Sequence, residues 1–142
     1  MAGESEIVVT FPGGKRVDAQ VGGHSVRTDQ PVQGGGEDSA PTPFALFAAS
    51  MGTCAGIFVV GFCQKRGLST EGIRIVERLH HGDDGALSGV DLDLEVPPDI
   101  PEKYRDALVR VADQCSVKRA IQAQPAFQVR TVVTASAPPQ AV

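Results

Sequence analysis

The chain has 142 residues, of which 42% are hydrophobic and 21% are charged, and its formal net charge is -4. These values are typical of a globular protein of ordinary domain size, so we predict a single domain over residues 1–142. An acidic chain lacks the basic surface that phosphate backbones require, which excludes a nucleic-acid partner.

Three short strands and a glycine-rich loop are predicted before the first helix. The strands cover residues 7–11, 16–21 and 25–28, and the first two are joined by a Pro-Gly-Gly-Lys turn that predicts a hairpin. The loop ends at Thr42 and Pro43. These residues indicate a helix start, because threonine caps helices and proline is tolerated at the first helical position.

A long helix is predicted from Pro43 to about Arg66. Residues 39–64 carry no charged side chain, and the helix is apolar or small on every side. Such a helix is either enclosed by protein or inserted in a bilayer, which about 20 apolar residues span. Dense small residues, including Gly52 and Gly56, and strands predicted on both sides favour a buried helix, so we expect no membrane span. Because the few other elements of one chain cannot cover it, we predict an obligate homodimer.

The second half of the chain predicts another hairpin, a helix and a last strand. Residues 73–80 and 87–96 form the hairpin, whose second arm alternates apolar and acidic side chains. A helix follows from Pro101 to Cys115, and residues 127–136 form the last strand before a loose tail. The predicted order is βββ-α-ββ-α-β, an α+β fold without parallel crossover units.

Two of the three cysteines are candidates for chemistry. Cys54 and Cys63 lie nine residues apart in the long helix, which places them about 180° apart around it and ~13.5 Å along it. They therefore cannot form a disulfide within that helix, and Cys63 is expected only to pack. Cys54 and Cys115 remain as a possible pair, although free cysteines often serve simply as small apolar residues.

The surroundings of Cys115 suggest a reason for reactivity. If the helix breaks near Gln114 and restarts at Ser116, the Cys115 sulfur would lie at a helix N-terminus, with Lys118 and Arg119 near it. Both effects lower a thiol pKa. The alternative is that Cys115 fills the apolar stripe and that both cations are solvated.

Three segments together resemble the OsmC/Ohr family, small bacterial proteins of the osmotically induced and organic-hydroperoxide-resistance type. They are PFALFAASMGTC at 43–54, KRGL at 65–68 and CSVKRAI at 115–121, and the similarity covers nearly the whole chain. The resemblance implies an intertwined homodimer in which sheets from both subunits enclose the two long helices. It also implies a stress-response thiol peroxidase in which Cys54 is oxidised and Cys115 resolves it.

The chain departs from the family pattern at two positions. Phe44 stands where characterised peroxidases of the family have a glutamate, and Ser116 stands where many members have proline. The family's supporting arginine comes from an N-terminal strand or turn, where Arg16 and Arg27 are both available. The chain thus resembles the broader OsmC-like branch more than the hydroperoxide-resistance enzymes themselves.

Two functions follow from these residues and this resemblance. In the first, Cys54 reduces a small apolar hydroperoxide and forms a disulfide with Cys115, which a lipoyl or thioredoxin-like dithiol then reduces. In the second, a non-catalytic dimer binds a small apolar ligand and its thiols are inert. No cofactor or metal is expected, since His24, His80 and His81 lack metal spacing. A polar N-terminus and free thiols predict the cytoplasm.

Overall fold

The computed structural model describes residue 3 and residues 5–135. Within them the strands are β1 Ile7–Gly13, β2 Arg16–Val21, β3 His24–Thr28, β4 Arg74–His81 and β5 Leu87–Glu95, and the helices are α1 Pro43–Lys65, α2 Glu102–Ala112 and α3 Ser116–Gln122. This confirms the predicted α+β class. The chain divides into two compact units, one containing residues up to 47 and from 128, the other residues 48–127. That both belong to one domain stays a prediction.

The first unit contains an antiparallel sheet with the strand order β1-β2-β3. Ile7 pairs with Val21 in the first hairpin, and its turn uses Gly13 and Gly14, whose φ angles of 141° and 58° favour glycine. The three predicted strands are therefore confirmed, and their ends differ from the prediction by no more than two residues.

A buried carboxylate organises the loop between β3 and α1. Asp29 is 1% exposed and accepts hydrogen bonds from the N–H of Glu37 at 3.3 Å and from the N–H and hydroxyl of Ser39 at 3.0 and 2.6 Å. The Ser39 hydroxyl is the main cause that lowers the pKa of Asp29 from 3.8 to about 2. Gly36 lies in the same loop, where an added Cβ would be 2.1 Å from the carbonyl oxygen of Gln30. The loop therefore packs closely around Asp29 just before α1 begins.

Helix α1 begins and ends as predicted. The N–H of Ala45 donates to Oγ1 of Thr42 at 3.2 Å, and the helix ends at Lys65, before Gly67 with its left-handed φ of 63°. The helix buries one stripe of residues, while Ile57 on another face is 63% exposed. The stripe consists of Ala48, Met51, Ala55, Val59, Phe62 and Cys63. A helix this long and apolar could cross a membrane, but the core helices of soluble proteins meet the same criterion.

The core of the second unit forms where α1 and α2 pack on the β4–β5 hairpin. Val59 of α1 and Leu108 of α2 are buried there, and Leu92 and Leu94 of β5 pack against them. On the other face of the hairpin, acidic side chains of β5 pair with basic side chains of β4. These pairs are Asp91 with His80, Asp93 with Arg78 and Glu95 with Arg74. The alternation predicted for this strand is confirmed.

The predicted last strand is wrong. Residues 127–135 form no strand, and Ser136 lies outside the described residues. The apolar side chains of Phe127, Val129 and Val133 are 87%, 98% and 91% exposed. Alternation favours an extended segment, but a strand also needs a neighbouring edge with free backbone groups, which a sequence pattern does not identify. Within the described residues, the order therefore ends in two helices, α2 and α3.

Gly36→Ala is expected to lower the free energy of unfolding by about 1–3 kcal/mol, because the added methyl group would overlap the Gln30 carbonyl and displace the loop. Gly23→Ala is the matched control, since a Cβ there meets nothing within 4 Å. The control should change stability by less than ~0.5 kcal/mol. Urea unfolding followed by circular dichroism measures both, and equal stability of the two variants would contradict the close approach at Gly36.

Candidate active site

Cys54 of α1 is half-buried and lies against the first turn of α3. Its Sγ is 3.4 Å from Oγ of Ser116. The backbone N–H groups of Val117 and Ser116 and the thiol of Cys115 also act on this sulfur and favour its ionised form. Three consecutive residues, 115–117, thus bring several donors to one sulfur atom.

These donors make Cys54 unusually acidic. The Ser116 hydroxyl contributes most, followed by the Val117 N–H and the Cys115 thiol, and together they outweigh burial and lower the pKa of Cys54 from 9.0 to about 7. The thiolate is the nucleophilic form of cysteine. At pH 7 about half of such a thiol is ionised, against about one per cent of a thiol with a pKa near 9.

Cys115 is 3% exposed and caps the N-terminus of α3. Its sulfur accepts a hydrogen bond from the N–H of Lys118 at 3.3 Å and lies 3.9 Å from the carbonyl oxygen of Met51. The helix is therefore interrupted near Gln114, as the sequence suggests: α2 ends at Ala112 and α3 starts at Ser116. The ammonium of Lys118 pairs with the carboxylate of Asp113.

Cys63 is separate from this arrangement. It is fully buried in the core cluster with Val59 and Leu108. Burial raises the pKa of Cys63, and the nearby Arg66 charge only partly offsets this. Among the predicted site residues, the structure brings Cys54 and Cys115 together and keeps Cys63 as a packing residue.

Three other predicted residues belong to the first unit. The Phe44 ring lies 5.7 Å from that of Phe47, and Arg16 pairs with Asp18 at 2.9 Å. Arg27 lies opposite Asp18 in the β2–β3 register and is exposed. Which of the two arginines supports Cys54 stays a prediction.

Ser116 is the site residue whose role the sequence did not reveal. The residue stands where many family members have proline, and its hydroxyl is the largest cause of the low pKa of Cys54, to which its N–H contributes as well. Proline has neither a hydroxyl nor a backbone N–H. The signal was present in the chain, since a hydroxyl residue directly follows a cysteine at a predicted helix start.

An apolar groove leads to Cys115. It lies between β5 and the helices α2 and α3, has a volume of about 370 Å³, and is called the β5–α3 groove below. Cys115 is the one cysteine among the described residues that line it, and Lys118 and Asp113 are its charged residues. The apolar lining residues are Met51, Leu87, Val90, Leu92, Leu94, Val109, Ala112 and Ile121.

A second concavity, of about 570 Å³, lies where α1 faces β4. Glu77 of β4 points toward α1 at Gly52. Burial raises the pKa of Glu77, and its Oε1 accepts no hydrogen bond from the described residues. The sequence signal was an acid in line with Ile75 and Leu79 on the inward face of a strand.

Comparison with known proteins identifies a family model and related folds. Residues 35–130 match the model described as OsmC-like protein. No match is found among curated protein sequences.

Three solved structures resemble the chain over most of their length. A protein from Psychrobacter arcticus, described as an osmotic stress induced and detoxification response protein, has a TM-score of 0.70 at 20% identity. The match covers 84% of this chain and 90% of that one. An OsmC-like protein from Mycoplasma pneumoniae has a TM-score of 0.65 at 11% identity, covering 87% and 91%. An organic hydroperoxide resistance protein from Elizabethkingia anophelis has a TM-score of 0.58 at 19% identity, covering 87% and 91%. The predicted OsmC-like fold is confirmed.

The role of Ser116 can be measured by alkylating Cys54 with iodoacetamide at different pH values in a Cys63→Ala background, with peptide mass spectrometry as the readout. The rate should rise with an apparent pKa of about 7. Ser116→Ala should move this pKa toward 9.0, because it removes the hydrogen bond that lowers the pKa of Cys54 most. Ser116→Pro, which fits the first helical position but also lacks the N–H, should move it further.

Ser88→Ala is the matched control, because the Ser88 hydroxyl donates to the His80 carbonyl, outside this site. It should leave the apparent pKa of Cys54 unchanged. A wild-type pKa near 9.0, or no difference between Ser116→Ala and wild type, would contradict the assignment of Ser116.

Proposed function

The chain belongs to the OsmC-like protein family, and on that premise we propose that it is a thiol-dependent peroxidase that reduces organic hydroperoxides through Cys54 and Cys115. The observation that carries the proposal is the position of the half-buried Cys54 thiol against the start of α3, where its sulfur lies 3.4 Å from Oγ of Ser116, the residue that directly follows Cys115. A nucleophile that is partly ionised at neutral pH and a neighbouring thiol are the two components that such a reaction needs.

The reaction proceeds in two steps at these sulfur atoms. The Cys54 thiolate attacks one peroxide oxygen, the O–O bond breaks, the alcohol leaves after taking up a proton, and Cys54 becomes a sulfenic acid. The Cys115 sulfur then attacks Cys54, and a disulfide forms as water leaves. The donors of Ser116 and Val117 stabilise the Cys54 thiolate before the first step. A dithiol must then return two electrons to the disulfide.

The surroundings of the two thiols favour an apolar substrate. Met51 lies beside Cys115, and the adjoining groove is lined mostly by aliphatic side chains. Such surfaces bind alkyl chains, whereas hydrogen peroxide gains little from them. Alkyl or fatty-acyl hydroperoxides are therefore the expected substrates, in a stress response within the reducing cytoplasm, where free thiols persist.

A homodimer is part of this proposal. Within one chain, α1 leaves Ile57 63% exposed, and β1 leaves Ile7 and Phe11 57% and 68% exposed. Exposed apolar surface of this extent usually marks an interaction surface. A second copy of the chain is the partner that the family resemblance implies for it.

A second candidate is a non-catalytic dimer that binds a small apolar ligand. Phe44, in place of the acid found in characterised peroxidases of the family, favours this alternative. Activity measurements separate the two candidates.

Wild-type protein supplied with dihydrolipoamide should consume cumene hydroperoxide, and faster than hydrogen peroxide. Cys54→Ser should reduce consumption to background, because the nucleophile is lost. Cys115→Ser keeps a capping atom for α3 and should react once, leaving a sulfenic or overoxidised Cys54. Cys63→Ala is the control and should retain activity, since Cys63 lies in the core. Absence of turnover by wild type, with a Cys54 pKa near 9.0, would favour the ligand-binding candidate.

Light scattering should give a particle of twice the 14.9 kDa chain mass. Ile57→Lys should weaken this dimer, because it introduces a charge into apolar surface that is expected to be covered. Gln64→Lys, at an exposed polar position of the same helix, is the matched control. A wild-type particle of ~15 kDa at micromolar concentration would contradict the dimer.

A further inference from the structure

We propose that the cavity between α1 and β4 is a binding site for a small apolar amine, whose ammonium group pairs with the carboxylate of Glu77. This cavity, of about 570 Å³, is called the α1–β4 cavity below. The proposed peroxidase reaction does not use it. The proposal therefore adds a second site, with its class of ligand and the residue that recognises the ligand.

Glu77 is a polar group that the fold leaves without a partner in apolar surroundings. It is half-buried, on the face of β4 that also carries Ile75 and Leu79. Its Oε1 is buried and accepts no hydrogen bond from the described residues. Removing a carboxylate from water without supplying a partner costs free energy, which is why burial raises the pKa of Glu77. A ligand that supplies a donor removes this cost.

The described residues that line the cavity offer Glu77 no free cation. Arg74 is the one basic residue among them, and its guanidinium pairs with the carboxylate of Glu95. The hydroxyl of Thr53, on the facing helix, donates to the carbonyl oxygen of Ala49 at 3.0 Å. Positive charge for Glu77 is therefore expected from a ligand.

Two glycines leave space beside the carboxylate on the helix side. A Cβ built on Gly52 would lie 3.8 Å from Oε2 of Glu77, and one built on Gly56 would lie 3.8 Å from Cδ1 of Ile75. Because glycine has no side chain, α1 places no side chain against the carboxylate at these two positions. Glu77 therefore faces the cavity.

The rest of the cavity suits a hydrocarbon chain. Its walls include the side chains of Ile57, Val60, Ile73 and Ile75. Ile75 and Ile73 precede Glu77 at steps of two residues, so this wall extends about 13 Å from the carboxylate. A volume of about 570 Å³ falls within the range of small-molecule sites. The expected ligand thus has one polar end and one apolar chain.

The charge of Glu77 selects an amine among molecules of this shape. An ammonium group donates charge-assisted hydrogen bonds, which are about twice as strong as neutral ones and are strengthened where water is excluded. An alcohol of the same length would donate only a neutral hydrogen bond. A carboxylate of the same length would be repelled by Glu77.

The α1–β4 cavity is separate from the reactive thiols. Gly52 and Cys54 are two residues apart in α1, which places them about 200° apart around the helix. No described residue lines both this cavity and the β5–α3 groove. Amine binding and peroxide reduction can therefore be measured independently.

The second copy of the chain that is proposed to cover α1 would border this cavity. Ile57 lines the cavity and is 63% exposed, whereas Oε1 of Glu77 is buried. We expect the second copy to cover Ile57 at the mouth of the cavity, with the amine at Glu77. If the second copy filled the cavity instead, amine binding and dimerisation would exclude each other.

Isothermal titration calorimetry of the reduced full-length protein with octylammonium, octanol and octanoate at neutral pH tests the site. Octylammonium should bind about tenfold or more tightly than octanol, because it brings a charge to a carboxylate, and octanoate should bind more weakly than octanol. Equal binding of octylammonium and octanol would contradict the class of ligand. No binding of octylammonium would overturn the site.

Glu77→Gln keeps the shape of the side chain and removes its charge. It should weaken octylammonium binding about tenfold or more and leave octanol binding unchanged. Glu71→Gln is the matched control, because Glu71 is exposed and lies outside the described lining of the cavity. The control should bind octylammonium as wild type does. Equal affinities of Glu77→Gln and wild type, or equal losses in the two variants, would overturn the assignment of Glu77.

Two measurements separate this proposal from the peroxidase. Glu77→Gln should consume cumene hydroperoxide at the wild-type rate, and Cys54→Ser should bind octylammonium as wild type does. Failure of octylammonium to bind would leave the peroxidase proposal intact. Slower peroxide consumption by Glu77→Gln, or loss of amine binding in Cys54→Ser, would contradict a separate site.

Light scattering identifies the occupant of the cavity. Saturating octylammonium should leave the mass of the particle unchanged, because the amine and the second copy are expected at different positions. A fall in mass to that of the 14.9 kDa chain would show that the second copy fills the cavity, and would overturn the amine as its occupant.

Discussion

The proposed chemistry depends on one contact, that between the first turn of α3 and the sulfur of Cys54. The approach is possible because the chain leaves α2 at Ala112, and α3 begins anew at Ser116 with Cys115 as its cap. A continuous helix would engage its N–H groups in its own backbone bonds, whereas the first turn of a new helix has them free. Those N–H groups and the Ser116 hydroxyl lower the pKa of Cys54 to about 7. The interruption between α2 and α3 therefore places polar groups beside a thiol in an apolar helix and favours its ionised form.

In the characterised peroxidases that the chain resembles, a glutamate and an arginine orient the reactive cysteine. In this chain a hydroxyl and backbone N–H groups act on the Cys54 sulfur instead. Phe44 cannot donate or accept as the family glutamate does, yet the pKa of Cys54 is still low, and Ser116 is the largest cause. A hydroxyl and backbone N–H groups stabilise an anion without a second charge that must itself be neutralised. The two departures from the family pattern thus differ in kind: Phe44 brings no charged group, whereas Ser116 brings a hydroxyl that lowers the pKa of Cys54.

Most of the fold could be predicted from local patterns, and the exceptions have physical causes. The cap at Thr42, the end of α1 before Gly67 and the alternation of β5 depend on neighbouring residues, so they are visible in the sequence. The strand expected over 127–136 requires the free edge of another strand, which local sequence does not specify. Residues 127–135 form no strand. For the site, the cysteine pair was predicted from its spacing and the resemblance. The role of Ser116 was missed, because it depends on where α3 places one hydroxyl relative to a residue 62 positions away.

The most direct test of this account is to identify which cysteines become linked. The reduced protein is treated with one equivalent of cumene hydroperoxide, free thiols are blocked by alkylation, and the disulfide-linked peptides are sequenced by mass spectrometry. The account predicts one disulfide, between Cys54 and Cys115, with Cys63 still a thiol. A linkage that includes Cys63, a linkage between two chains, or three unmodified thiols would contradict it.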